Sequence, residues 1–220
     1  MLLAIDTATR MAGLALYDEV NGCIRTEESW YSANNHTIEL MPRLVQMMDQ
    51  QQLSPTRLTG LAVSLGPGSF TGLRIGLAVA KGLAAALSIP MVGVPTLDVV
   101  ARPHQNQNLP IWAVVQAGRG RICAARYKAQ RGQWHLDETY HLTTLDALCD
   151  REKEPVLMCG ELEDKERHYL RERFGLSVVI ASPAFSLRRP AHLAEMAWER
   201  LERGQSDNAA SLAPIYLKNP

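Results

Sequence analysis

The sequence predicts an α/β fold of two similar lobes, each a mixed sheet flanked by helices. The order strand-strand-strand-helix-strand-helix can be read twice along the 220 residues, before and after a polar Asn- and Gln-bearing stretch at 102–110. At 46% hydrophobic and 21% charged residues, the chain carries enough apolar side chain for folded cores. Its length suits one large domain or two small lobes. The expected division is a first lobe over 1–103, a smaller second lobe over 111–205, and a tail over 206–220 that packs back on the first lobe.

Residues 2–5 read as a short apolar strand ending at Asp6-Thr7-Ala8-Thr9. Residues 11–17 and 23–31 alternate as two more strands joined at Asn21-Gly22. Asn34-Asn35 supplies an N-cap for a helix over 36–51. Its apolar positions Ile38, Leu40, Met41, Leu44, Val45, Met47 and Met48 make a stripe wider than one core-facing seam needs. A fourth strand at 58–65 leads into Gly66-Pro67-Gly68-Ser69-Phe70-Thr71-Gly72. A helix follows to Leu87, with Gly72, Gly76, Ala80 and Ala84 at every fourth position. Residues 90–94 form a short strand, 96–101 start a helix, and 102–110 read as a linker. The second half restarts with strands at 111–116, 121–128 and 133–141, and a helix after Thr143-Thr144. It continues with strand 156–160, helix 164–174, strand 178–181 and helix 190–203.

Charge and cysteine usage exclude several classes. The 23 basic and 23 acidic residues cancel, so no basic excess points to nucleic-acid binding. Residues 1–116 hold 7 basic and 8 acidic side chains and residues 117–220 hold 16 and 15, so the first half is more buried or meets a partner. Cys23, Cys123, Cys149 and Cys159 form no C-x-x-C and read as small buried hydrophobes in a reducing cytosol. The start of the chain has no basic n-region, and the apolar run 75–94 is broken by Lys81 and Pro90. A cytoplasmic protein without a membrane span is expected.

Few residues suggest chemistry. Asp6 and Thr7 could present a carboxylate and a hydroxyl to a magnesium nucleotide, or close a hairpin turn. The glycine loop looks like a phosphate cradle, but lacks the Lys-Ser or Lys-Thr that completes a P-loop. His36 and Glu39 would need a second ligand one turn on, and that position is Leu40. No G-x-S-x-G elbow or Ser-His-Asp pattern is present. Arg119, Arg121, Arg126, Arg188 and Arg189 form basic patches or a solvated surface.

Three stretches carry a family likeness. The opening Leu3-Ala4-Ile5-Asp6-Thr7-Ala8-Thr9, His36-Thr37, and Gly66-Pro67-Gly68-Ser69-Phe70-Thr71-Gly72-Leu73-Arg74-Ile75-Gly76 resemble the TsaB (YeaZ) family of bacterial tRNA threonylcarbamoyladenosine biosynthesis proteins. Pro95-Thr96-Leu97 and Pro214-Ile215-Tyr216-Leu217-Lys218 fit it too. The resemblance implies two actin-like ATPase (ribonuclease H-like) lobes. It also implies a noncatalytic subunit that pairs with the transferase TsaD, joins TsaE in a larger complex, can form a homodimer through the same helices, and meets tRNA only indirectly. The catalytic relative carries two metal-binding histidines one helical turn apart, and here the second is Leu40. Where relatives show Asp-Ala-Arg, this chain has Gln116-Ala117-Gly118-Arg119, which removes a carboxylate from the nucleotide cleft. No metal and no nucleotide held by this chain alone are therefore expected.

The expected partner face combines His36, Met41, Leu44 and Met48 of the first helix with Leu73, Gly76, Leu77 and Ala80 of the second. Gly76→Leu is expected to block association with the fold intact. The competing readings are a metal-dependent (glyco)peptidase and a small-molecule kinase of the same fold.

Overall fold

Alternation of apolar side chains builds the first sheet. Strands β1 (Leu2–Asp6), β2 (Met11–Asp18) and β3 (Cys23–Tyr31) form an antiparallel meander. The sheet is completed by β4 (Gly60–Ser64), parallel to β1, and β5 (Met91–Val94), in the order β3-β2-β1-β4-β5. Between them lie α1 (His36–Gln50), after β3, and α2 (Phe70–Leu87), after β4. Because successive strand residues point to opposite faces, Leu3, Ile5, Leu14, Leu16, Leu61 and Val63 share one face. They pack with Leu40, Leu44, Met47 and Met48 of α1 and Leu77, Ala80 and Ala84 of α2. Each large aliphatic side chain so buried contributes about 1.5–3 kcal/mol.

The second sheet repeats that plan. Helix α3 (Thr96–Ala101) precedes β6 (Ile111–Gly118), β7 (Arg121–Gln130), β8 (Gln133–Thr143), α4 (Leu145–Arg151), β9 (Val156–Gly160), α5 (Asp164–Phe174) and β10 (Val178–Ile180). The order is β10-β9-β6-β7-β8, again two antiparallel pairs beside two parallel ones. Matching β6–β10 to β1–β5 in sequence order gives the same neighbours in both sheets. The duplicated grammar is therefore a duplicated lobe. Thr144 caps α4 by accepting from the Ala147 amide at 3.2 Å. Short helix α6 (Pro183–Ser186) and α7 (Pro190–Glu202) end the order.

The computed structural model describes residues 1–33, 35–130 and 133–217, so Lys218 of the closing motif lies outside the described residues. It divides into one unit of 1–96 with 189–215, and a second of 97–188 with 216–217. The expected boundaries shift at three places. Helix α3 leaves the first lobe, because Leu97, Val100 and Ala101 pack with Ile111, Val115 and Cys159 of the second sheet. Residues 102–110 are not an inter-lobe linker but part of the second unit, with a 3-10 turn at Arg102–His104. Helix α7, expected with the second lobe, covers the first sheet on the face opposite α1 and α2. That face carries Gly13, Ala15 and Ala62, and Pro190 sits where a Cβ on Gly13 would be. Arg189 is paired with Glu27, and Arg200 with Asp207 at 2.9 Å. An amphipathic stripe shows that α7 is buried on one side, but does not say on which sheet. Beyond it, Asp207 bridges to Met91, the Ile215 amide donates to the Leu65 carbonyl, and Ala209 and Leu212 pack on the first core.

Cys123, Cys149 and Cys159 are buried as expected, while Cys23 is exposed. In the second unit, Tyr127 and Tyr140 both donate to Asp98 Oδ1, at 2.6 and 2.8 Å. Burial raises the Asp98 pKa above its ordinary 3.8, although the two hydroxyls oppose the shift. A carboxyl whose folded pKa is raised binds its proton more tightly when folded. Stability is thus greatest below the ordinary value and falls as pH rises through the folded one. Asp98→Asn is expected to raise Tm at pH 7, leave it unchanged near pH 3, and flatten the pH dependence between. Calorimetry of both proteins across that range measures this.

Candidate partner face and glycine loop

The turn after β1 and the loop before α2 are built against each other. Asp6 is buried and its Oδ1 accepts from the Ala8 amide at 3.0 Å and from Ser64 Oγ at 2.9 Å. Thr7 Oγ1 donates to the Gly72 carbonyl at 2.7 Å. The Ser69 amide donates to the Ala8 carbonyl at 2.6 Å, and Ser69 Oγ accepts from the Gly72 amide at 3.2 Å. A Cβ on Gly68 would overlap the Ala8 carbonyl, one on Gly72 the Thr7 carbonyl, and one on Gly76 Thr7 Oγ1. The loop that resembles a phosphate cradle thus spends two of its amides inside the chain, and Asp6 and Thr7 serve as its lining. Both side chains take part in closing the turn.

This packing corrects the expected partner face. His36, Leu44, Met48, Leu73, Gly76, Leu77 and Ala80 are all buried within the first unit, and of the eight residues proposed only Met41 is exposed. The small edge of α2 receives β1 and its turn, not a second protein. Gly76→Leu would strike Thr7 and Ile5, so it tests the fold and not association.

The outward surface lies on the other sides of the same two helices. On α1 it holds Ile38, Met41 and Val45, at 69%, 42% and 51% exposure. Residues 41, 42, 45, 46, 49 and 50 line a shallow depression of about 570 Å³ there. On α2 the exposed positions include Ala78, Gly82, Ala85 and Ala86, flanked by half-buried Ile75, Val79 and Leu83. Helix α2 has the length and mean hydropathy, 1.4, of a membrane span, yet a third of it is buried in the fold. The missed signal is that both helices carry two interleaved stripes. Positions 40, 44, 47 and 48 of α1 face in, while 38, 41 and 45 face out.

Helix α1 is tied down by polar contacts. The buried His36 donates from Nε2 to the Thr9 carbonyl at 2.9 Å. Trp30 Nε1 donates to Glu39 Oε2 at 3.0 Å, and Arg43 lies over the Trp30 ring while pairing with Glu28. The Ser32 hydroxyl holds the Glu39 carboxyl below its ordinary range against the smaller effect of desolvation, and the Trp30 indole adds to the lowering. Asn35 occupies the N-cap position without a side-chain cap bond, and Asn34 lies outside the described residues. Among the described residues no three His, Cys, Asp or Glu side chains cluster as a metal site. In the second unit Arg126 and Arg188 are paired with acids. Arg126 meets Glu152, Asp137 and Glu154, and Arg188 meets Glu161 at 3.2 Å. Gln116, which stands where a carboxylate was expected in relatives, donates to Glu166 at 2.9 Å.

A family model described as "TsaD: tRNA N6-adenosine threonylcarbamoyltransferase" matches residues 30–219. The tRNA threonylcarbamoyladenosine biosynthesis protein TsaB of Bacillus subtilis is 28% identical over 99% of this chain and 93% of its own. The chain belongs to the TsaD family. TsaB of Escherichia coli is 35% identical over 63% of this chain and 60% of its own. The solved structure of YeaZ from Pseudomonas aeruginosa superposes with a TM-score of 0.78 at 26% identity, covering 98% of this chain and 99% of that one. The TsaB resemblance and the paired mixed sheets thus agree with the fold expected from the motifs.

Gly76 and Gly82 of α2 should behave oppositely. A Cβ on Gly82 meets nothing within 4 Å, so Gly82→Ala is expected to raise unfolding stability by about 1 kcal/mol. Gly76→Ala is expected to lower it by about 1–3 kcal/mol, the range for overpacking. Urea unfolding of both variants separates the inward from the outward edge.

Proposed function

We propose that this chain is a noncatalytic subunit in cytosolic tRNA threonylcarbamoyladenosine synthesis, which pairs with a TsaD-type transferase and activates it. The observation that carries the reading is the outward face of α1 and α2. Ile38, Met41 and Val45 lie exposed on one helix, and Ala78 and Gly82 leave a bare, closely approachable edge on the other. Contiguous exposed apolar surface of this kind marks interfaces, and a helix apolar on nearly all sides is stable when buried on nearly all sides. Small residues let a partner backbone come close, and Met41 adapts to its shape.

The noncatalytic part rests on His36. Its Nε2 is committed to the Thr9 carbonyl, and one turn further the chain has Leu40. A metal held by two histidines on one helix face has neither a free first ligand nor a second one here. Nucleotide binding by this lobe is opposed by the glycine loop, whose Ser69 and Gly72 amides already have internal acceptors. TsaE enters in the larger assembly, and a second copy of this chain competes for the same face.

Two substitutions test the face without touching the core. Met41→Glu and Gly82→Arg are expected to weaken capture of a TsaD-type transferase at least about tenfold, with Tm no lower than that of the wild type. Wild-type capture by both would place the interface elsewhere. Reconstituted threonylcarbamoyl transfer to tRNA is expected to need this chain, and full activity in its absence would overturn the role.

A further inference from the structure

The same end of the first lobe carries a cationic, aromatic rim that neither the core nor the partner face uses. We propose that this rim binds single-stranded RNA directly, with Arg10 and Arg74 on phosphates and Tyr31 and Phe70 stacked on bases. The proposal rests on the proposed function only in taking the RNA to be a tRNA loop.

The rim is one continuous structure. The Ser32 amide donates to the Arg10 carbonyl at 2.7 Å, which joins the end of β3 to the β1–β2 turn. The Ser69 amide donates to the Ala8 carbonyl at 2.6 Å, which joins that turn to the start of α2. It lies beyond the carboxyl ends of the parallel strands β1 and β4, the end of an α/β sheet where ligands bind.

Its side chains are suited to unpaired nucleotides. Arg10 Nη1 donates to the Tyr31 hydroxyl at 3.1 Å, and the Arg74 guanidinium lies 3.8 Å over the Phe70 ring. Tyr31 is 62% and Phe70 54% exposed, and both arginines are exposed as well. Arg74 covers one face of the Phe70 ring, and bases stack on open aromatic faces whatever their sequence. No Asp or Glu occurs in the sequence at 7–11, 35–38 or 65–78, Asp6 beneath them is buried, and Glu39 next to Ser32 is held by the Ser32 hydroxyl and the Trp30 indole. In a chain of zero net charge these stretches contribute two arginines, Arg10 and Arg74. The resemblance implied only indirect contact with tRNA. The rim argues for a direct one.

A labelled RNA hairpin with an unpaired loop, and the paired stem without the loop, provide the probes for binding by the full chain at rising salt. Preference for the hairpin is expected. Combined Arg10→Gln and Arg74→Gln should reduce the slope of log affinity against log salt by about 1.4, two phosphates at about 0.7 each on a single strand. Tyr31→Leu and Phe70→Leu should each weaken hairpin binding about tenfold, by loss of stacking. Transferase capture by these variants should stay at the wild-type level. The proposal is overturned if wild-type protein does not bind the hairpin at low salt, or if all these variants bind it as wild type does. It is also overturned if they lose transferase capture while keeping RNA binding, which makes the rim a protein contact. Failure of the wild type to capture a transferase would refute the proposed pairing, yet leave the RNA result readable on its own.

Discussion

The contact on which the first lobe depends is the seating of α2 on the β1–β2 turn. Thr7 is pinned through its hydroxyl to the Gly72 carbonyl, and Gly68, Gly72 and Gly76 leave the space that Ala8 and Thr7 fill. A side chain on any of these three positions would push the helix away from the strand. The helix would then lose the fit by which Leu77, Ala80 and Ala84 enter the core. Bare edges on helices permit close approach, and this one is used within the chain.

That seating decides which way every other residue of α2 faces. With positions 72, 73, 76, 77, 80 and 84 turned inward, 74, 78, 82, 85 and 86 must turn outward, because the helix repeats every 3.6 residues. Helix α1 is set beside it by a different means, a polar staple of His36 to Thr9, Trp30 to Glu39 and Arg43 to Glu28. The first staple ends on the same turn that seats α2. Both helices are therefore referenced to one short stretch of chain, residues 6–10. Their outward faces keep a fixed relation for as long as that turn holds.

Lobe architecture was legible because strand alternation and loop signals repeat in the two halves, and the order of pairing follows once both are recognised. The assignment of the helices to sheets was not. Helix α7 shows a buried stripe of Ala191, Leu193, Ala194 and Ala197, but periodicity cannot tell that the partner is the sheet bearing Gly13. The partner face failed for a similar reason. A helix with small and apolar residues on several sides gives no preferred inward direction by hydrophobicity alone. The inward direction came from steric fit to Thr7, a contact 65 positions away in sequence. Met41 was legible because its stripe exceeded what one core needs.

Helix α2 also links the two outward surfaces. Its 18 residues span about 27 Å at 1.5 Å per residue, with Phe70 and Arg74 at one end and Ala78 to Ala86 along the rest. A protein docked along that length and a nucleic acid held at its start would be fixed in relation to each other by one rigid rod. Holding two reactants in a set geometry lowers a barrier without any group that reacts. A chain whose His36 is tied to its own backbone could contribute in that way under the proposed function. What it would supply is orientation, and the residues that supply it are those that keep the rod in place: Thr7, Gly72 and Gly76.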